Sequence, residues 1–245
     1  EILLAGAGEG ANLNKNWLFF NPKAGISYLL NDGKVFFSYA HAHREPNRDD
    51  LIANPSTEAE KLHDFELGIE KKIGAFSFTA NAYYMYYINQ LVLTGEINNV
   101  GSFIRANSGS YRTGLEIGML AQLSKQLQFS ANATFSQNIN KNFKTKTSNG
   151  VLDLGNTPIS FSPNIIANAS VKYKPLENFE LNFINQFVGK QYLDNTKNEA
   201  YLLKEYFVSD INAMYQLQQF KHTELGIMLS INNIFNQKYV NNGYV

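Results

Sequence analysis

The feature of this sequence that most limits its fold is a period of two that persists over long segments. From Phe76 to Tyr84 apolar side chains fall at the even positions, while Ser77, Thr79 and Asn81 fill the odd ones. Gln128, Ser130, Asn132 and Thr134 form the polar set of residues 127–135, and the rhythm returns in 179–183 and 225–231. Alternate residues of a strand share a face, whereas a helix repeats every 3.6 residues. The pattern therefore predicts strands with one apolar face each.

Ten such strands are predicted, at about 21–30, 34–43, 62–73, 75–89, 109–124, 126–139, 161–174, 179–193, 204–217 and 223–234, with a stub at Ile2–Ala5. Many exceed the five or six residues usual in soluble sheets. A strand of ~13 residues, at ~3.3 Å each and tilted by ~40°, rises about 33 Å, enough to clear the ~25 Å apolar band of an outer-membrane barrel. Tight turns are expected at Asn31-Asp32-Gly33, Ile73-Gly74, Lys125-Gln126, Pro175–Asn178 and Gln218–His222. Between them lie long polar connections, at about 44–61, 90–108, 140–160 and 194–203. Short turns at one end and long loops at the other is the layout of bacterial outer-membrane barrels.

The phase of the alternation assigns the faces. Phe65, Leu67 and Ile69, then Leu115, Ile117 and Met119, then Leu225, Ile227, Leu229 and Ile231 are expected to face lipid. Glu66, Arg112, Glu116, Asp210 and Glu224 are expected to face a polar lumen. Aromatic clusters at Tyr83–Tyr87 and Trp17–Phe20 fall near strand ends, where interfacial girdles sit. Composition agrees. The chain is 44% hydrophobic with slightly negative mean hydropathy, and no apolar run approaches the roughly 20 residues of a membrane helix. A net charge of zero without a basic stripe gives no sign of a nucleic-acid partner. The lack of cysteine excludes disulfides, thiolate metal sites and cysteine nucleophiles in this chain.

Little here carries chemistry. His41 and His43 share a face and could ligate one ion, but the phase from Val35, Phe37 and Tyr39 turns that face outward, so interfacial histidines are the favoured reading and metal the weak one. Glu66, Glu116 and Glu224 lie on separate strands and read as lumen surface with Arg112 as counter-charge, not as an acid/base pair. Asn12-x-Asn14 and Asn140–Asn149 lack the acidic spacing of calcium loops, and Gly6-Ala-Gly8-Glu-Gly10 is not a phosphate-binding glycine loop. No enzyme and no cofactor is expected. Arg44, Arg48 and Lys61 sit among Glu45, Asp49 and Asp50, which reads first as a mutually paired loop, while Arg105 lies in a loop of few acids. Arg44, Arg48, Arg105, Tyr86 and Tyr111 are the candidate ligand contacts, guanidinium groups for negative charge and rings for an organic chelate.

Five ordered blocks resemble a known family. Phe20-Asn-Pro-Lys-Ala-Gly-Ile-Ser-Tyr28, Phe37–Arg48, Asp64-Phe-Glu-Leu-Gly-Ile-Glu70, Tyr111-Arg-Thr-Gly-Leu-Glu-Ile-Gly118 and Ile231-Asn-Asn-Ile-Phe-Asn-Gln-Lys-Tyr239 are similar to barrel segments of TonB-dependent outer-membrane receptors. Gln90–Glu96 resembles receptors of the Bacteroidetes type. The resemblance implies that residues 1–245 are the C-terminal part of an antiparallel transmembrane β-barrel of about 22 strands, without the plug domain and the last strand. It implies an outer-membrane location in contact with lipid, an N-terminal plug as partner, and a TonB–ExbB–ExbD complex that energises uptake. The implied cargo is a scarce ligand, first an iron complex such as a ferric siderophore or haem. A passive porin-like channel is the alternative.

Overall fold

The computed structural model describes residues 2–4, 13–97, 103–147, 150–220 and 223–243. Its strands are β1 (Ile2–Leu4), β2 (Leu13–Lys15), β3 (Lys23–Leu30), β4 (Gly33–Arg44), β5 (Glu60–Ile73), β6 (Phe76–Ile97), β7 (Phe103–Gln122) and β8 (Leu127–Thr147). They continue with β9 (Gly150–Pro158), β10 (Ile165–Leu176), β11 (Phe179–Val188), β12 (Gln191–Tyr192), β13 (Leu202–Leu203), β14 (Tyr206–Phe220) and β15 (Thr223–Ile231). One short helix, α1 (Arg48–Ala53), and one 3-10 turn, Glu199–Tyr201, complete the described elements.

Ten strands, β3 to β8, β10, β11, β14 and β15, pair in that order into one antiparallel meander. They are the ten that the alternation predicts. β9 folds back on β8, while β1 with β2 and β12 with β13 form small separate pairs. The sheet is open, with β3 and β15 at its edges.

Register carries one face across all ten strands. Ile26 pairs with Phe37, Phe37 with Leu67, Leu67 with Ala82, Ala82 with Leu115, and Leu115 with Phe135. The row next to it continues from Ile117 through Ala133, Ala167, Phe187 and Phe207. Ile231 and Leu229 close this face against Ile211 and Ala213. These side chains have no protein layer over them: Leu67 is 56% and Ile117 is 42% exposed. Moving each Leu, Ile or Phe from water into lipid is worth about 1.5–3 kcal/mol, so the bilayer supplies what a core would. The opposite face is polar. Ser38 pairs with Glu66, Asn81 with Glu116, Asn132 with Asn168, and Asn182 with Asn212. Here the far end of the Phe36 ring sits against Gly68, where a Cβ would collide with it.

At one end the strands join through tight turns. Asp32 (φ 58°) sits beside Gly33 in the first, and Gly74 (φ 58°) takes a left-handed conformation in the second. Other short connections occupy Leu123–Gln126 and Glu177-Asn178. In the turn expected at Gln218–His222, β14 runs on to Phe220 and residues 221–222 lie outside the described residues. So do Gly6, Gly8 and Gly10, and the side chain of Glu224.

The other end differs from the sequence expectation. The described residues of 90–108 and 140–160 are largely strand, not irregular loop. β6 has 22 residues and β8 has 21, about twice the 9–11 residues that a tilted crossing needs. The excess projects beyond the membrane as paired hairpins. Bulges mark the exit: the β6–β7 register shifts between Tyr87 and Gln90 around Asn89 (φ 58°), and the β8–β9 register shifts between Asn140 and Phe143 around Asn142 (φ 50°). A bulge adds an unpaired residue and bends the strand, which re-aims each hairpin as it leaves the wall. The buried apolar residues concentrate in these projecting parts, among them Leu51, Leu91, Val92, Phe143 and Ile159.

Candidate functional site at the long-connection end

The projecting segments are braced to one another by buried polar groups. Asn47 caps α1 reciprocally: its side chain accepts from the Asp50 N–H at 2.8 Å, and its own N–H donates to Asp50 Oδ2 at 2.9 Å. A six-residue helix is marginal alone, and a second element holds this one. Arg105, on β7, donates from Nε to Asp50 Oδ1 at 2.8 Å and from Nη2 to Oδ2 at 2.6 Å. Asp50 is only 2% exposed, so this two-pronged pair pins the 45–59 connection onto the β6–β7 hairpin. Asn107 strengthens the same seam. Its amide donates to the Glu58 and Asn89 carbonyls, and its side-chain oxygen accepts from the Glu58 N–H.

A second brace centres on Asn195, also 2% exposed. Its amide donates to the Leu93 carbonyl on β6 at 2.8 Å, and its oxygen accepts from Asn140 Nδ2 at 3.0 Å and from the Ser160 N–H at 2.8 Å. One side chain thus ties the 189–201 connection to β6, β8 and the segment after β9. Beside it Tyr192 donates to Glu199 Oε1 at 2.6 Å, a bond that, with some burial, holds its phenol above the ordinary value.

Below these connections the polar face forms a hollow of about 320 Å³, lined in part by Glu66, Tyr83, Arg112, Glu116, Asn138 and Phe161. Arg112 Nη1 donates to Ser162 Oγ at 3.0 Å and reaches Asn138 Oδ1 at 3.4 Å. Two other cations on this face form ion pairs, Lys34 with Glu70 at 3.0 Å and Lys172 with Glu180 at 3.1 Å, whereas Glu66 and Glu116 make no ion pair among the described residues, with Arg112 or with any other cation. A larger hollow of about 770 Å³ lies between Ala80, Ala133, Ala167, Phe187 and Phe207 on the opposite, lipid-side face. It belongs to the membrane surface and not to a passage.

The residues nominated from sequence separate into groups. Arg44 lies on the lumen side and pairs with Glu60 at 3.1 Å, whose Oε2 also accepts from the Leu91 N–H. Arg48 is exposed at the start of α1 and makes no ion pair with the described residues. The guanidinium of Arg105 is committed to Asp50. Tyr86 and Tyr111 face each other in register on the lipid side, with Lys141 Nζ 4.9 Å and 5.5 Å from their ring centroids. The lumen-side aromatics at similar height are Tyr83 and Tyr87, which alternation within the tyrosine run could have separated from Tyr84 and Tyr86. His41 and His43 do face outward, as their phase predicts. They are joined by His63, whose ring centroid lies 4.3 Å from that of His41. Among the described residues no group of three His, Cys, Asp or Glu side chains is arranged to hold a metal ion.

Comparison with known proteins places this arrangement. A family model described as "TonB dependent receptor-like, beta-barrel" matches residues 5–234. No curated protein sequence matches the chain. Among solved structures, it is similar to the ferric-catecholate import receptor Fiu from K12 E. coli, at 17% identity over 90% of this chain and 31% of that one, with a TM-score of 0.65. It is similar to the siderophore receptor PiuA from Acinetobacter baumannii, at 20% identity over 91% of this chain and 32% of that one, TM-score 0.70. The copper transporter OprC aligns at 14% identity over 89% of this chain and 34% of that one, TM-score 0.69. The chain spans about a third of the length of these structures.

Proposed function

The chain belongs to the TonB-dependent receptor β-barrel family and forms a stretch of outer-membrane barrel wall, and on that premise we propose that it serves an energised receptor that takes up a scarce ligand, first an iron complex. The observation that carries the reading is the pairing of a two-faced wall with a braced set of long connections at one end. A rigid scaffold that presents loops is how binding residues are usually displayed.

The lumen face favours a receptor over a passive pore. A charge-selective pore needs a ring of one sign. Here neutral amides such as Asn81, Asn132 and Asn168 dominate, and cations meet carboxylates at Lys34–Glu70 and Lys172–Glu180. Such a surface suits hydrogen bonding to a folded plug. Arg48 and Arg44 are the residues to which capture of an anionic complex is assigned, with Tyr87 as the lumen-side ring. Arg48 stands in the first turn of α1, where a cation opposes the helix dipole, so helix stability does not account for it. Arg105 positions the loop through Asp50. No bond of the ligand is made or broken in this scheme.

Iron is the first cargo because the aligned structures include a ferric-catecholate import receptor and a siderophore receptor. The test uses the full-length receptor in its own cells under iron limitation, supplied with radiolabelled ferric catecholate or haem, with and without a protonophore. Uptake that needs both the receptor and the proton gradient is the expected result. Receptor-dependent uptake that survives the protonophore would make it a passive channel. Uptake of copper or a glycan but of neither iron complex would reassign the cargo.

A further inference from the structure

Between β9 and β10 the wall carries a loop-out. Ile139 of β8 pairs with Pro158, and Phe135 pairs with Ile165, so residues 136–138 lie opposite 159–164, three residues against six. All six are held. The N–H groups of Ile159, Ser160 and Phe161 donate to the Asn138 carbonyl, Asn195 Oδ1 and the Tyr192 carbonyl at 3.1, 2.8 and 2.9 Å. Ser162 Oγ accepts from Arg112, and the carbonyls of Pro163 and Asn164 accept from the Oγ and N–H of Ser136 at 3.1 and 2.8 Å. Within this frame Phe161 has φ 51°, a left-handed conformation that a bulky residue adopts only where its surroundings impose it.

The loop-out brings apolar surface to the polar face. Phe161, Pro163 and Ile166 line the lumen-side hollow together with Met85, and Phe161 stays 42% exposed. The Arg112 guanidinium lines the same hollow, is fixed through Nη1 by Ser162 and Asn138, and makes no ion pair among the described residues. Glu66 and Glu116 stand one and two lumen-side positions nearer the tight-turn end. An exposed phenyl and an anchored cation therefore sit together at the upper end of the hollow, with the acids below them. A strained backbone that holds a phenyl out on a polar face is accounted for by a partner that covers the ring. That partner brings a flat apolar face to Phe161 and negative charge to Arg112.

We propose that Phe161 and Arg112 are specificity-determining contacts for the cargo: the ring stacks on a flat aromatic group of its organic part, and the guanidinium donates to an anionic oxygen beside that group. The inference rests on the uptake reading and adds the chemistry that the cargo must present. A ferric catecholate or haem, each an aromatic anion, meets it, and a ferric trihydroxamate without rings does not. Asn195, which ties the 189–201 connection to β6 and β8, also holds the Ser160 N–H, so the brace at the long-connection end sets the position of the ring.

The test titrates the full-length receptor by calorimetry with a ferric tris-catecholate, with haem and with a ring-free ferric trihydroxamate. Wild type is expected to bind the catecholate or haem. Phe161→Ala is expected to weaken that binding about three- to tenfold, the worth of one ring stack, and Arg112→Gln at least about tenfold. Phe161→Tyr should keep wild-type affinity, and no variant should change whatever affinity the trihydroxamate has. Phe161→Gly separates the ring from a structural role. Glycine accepts the left-handed backbone, so its Tm is expected above that of Phe161→Ala with the same weakened affinity. Affinity that returns in the more stable Phe161→Gly, or a loss shared by all three probes, would tie the ring to the fold or to the plug and overturn the proposal. Unchanged affinity in Phe161→Ala or Arg112→Gln, where wild type binds, would overturn it and leave the iron reading standing. Wild type that binds neither aromatic anion would overturn the iron reading and this contact with it.

Discussion

At the residue scale, two buried side chains organise the long-connection end. Asp50 accepts both prongs of Arg105 while fully enclosed, so Asp50→Ala leaves a guanidinium without its anion, a change that typically costs 3–5 kcal/mol in a buried pair. Because Arg105 keeps partial exposure, about 2–3 kcal/mol is expected after screening. The loss should be local: hydrogen exchange across residues 47–57 should speed by one to two orders of magnitude while the wall strands keep their protection. Unchanged exchange there would remove Arg105 from its positioning role. Asn195→Leu takes away three hydrogen bonds and strands the Leu93 carbonyl, the Ser160 N–H and the Asn140 amide. An unsatisfied buried group costs about 1–3 kcal/mol, so faster proteolysis within 189–201 is the expected readout, and wild-type cleavage rates would contradict it. Neither brace was legible in sequence. Asn47-x-x-Asp50 is a capping pattern hidden in a mixed-charge run, and Asp50 and Arg105 are 55 residues apart. A distant carboxylate leaves no mark beside Arg105, which is why it reads as a free loop cation. His63 was missed for a related reason. Its membership of the His41–His43 group depends on the β4–β5 register, which no local pattern encodes.

At the scale of elements, the alternation located ten wall strands because each has one face in lipid and one in a polar lumen, an environment that writes its period directly into the residues. The signal fades at Asn89 and Asn140, where the strands leave the bilayer and bulges reset the phase. Beyond those points β6, β7, β8 and β9 are still strands, but both faces see water or other loops, and the sequence there looks like polar connection. The assignment of faces gives a direct prediction. Ile117 is outward in the part of β7 that lies below the projecting hairpin, and Thr134, the register partner of Glu116, is inward on β8. Ile117→Arg should cost about 2–4 kcal/mol in a refolding titration, the penalty for arginine at the bilayer midplane, and Thr134→Arg much less. Equal costs would mean that the two faces have been exchanged or that neither meets lipid.

At the scale of the whole molecule, the chain is an open ten-strand stretch of wall that spans about a third of the length of the receptors it is similar to. The tight-turn end and the projecting end are separate in composition and in mechanics, and recognition is assigned to the latter. Removal of residues 92–104 from the full-length receptor cuts the β6–β7 projection above the Asn89 bulge and leaves the wall register intact. It also removes Leu93, whose carbonyl anchors Asn195. Ligand affinity should fall at least tenfold, about 1.4 kcal/mol, with wall strands still protected. Unchanged affinity in a correctly folded deletion would move recognition elsewhere in the receptor. The claim beneath all of this is that one face of the wall meets lipid and the other a polar lumen. A spin-label scan of residues 113–120 in the reconstituted receptor tests it most directly, by comparing accessibility to oxygen, which partitions into lipid, with accessibility to a water-soluble nickel chelate. The expected result is strict alternation, with oxygen accessibility highest at Leu115, Ile117 and Met119 and low at Gly114, Glu116 and Gly118. A flat profile, or the opposite phase, would contradict the account.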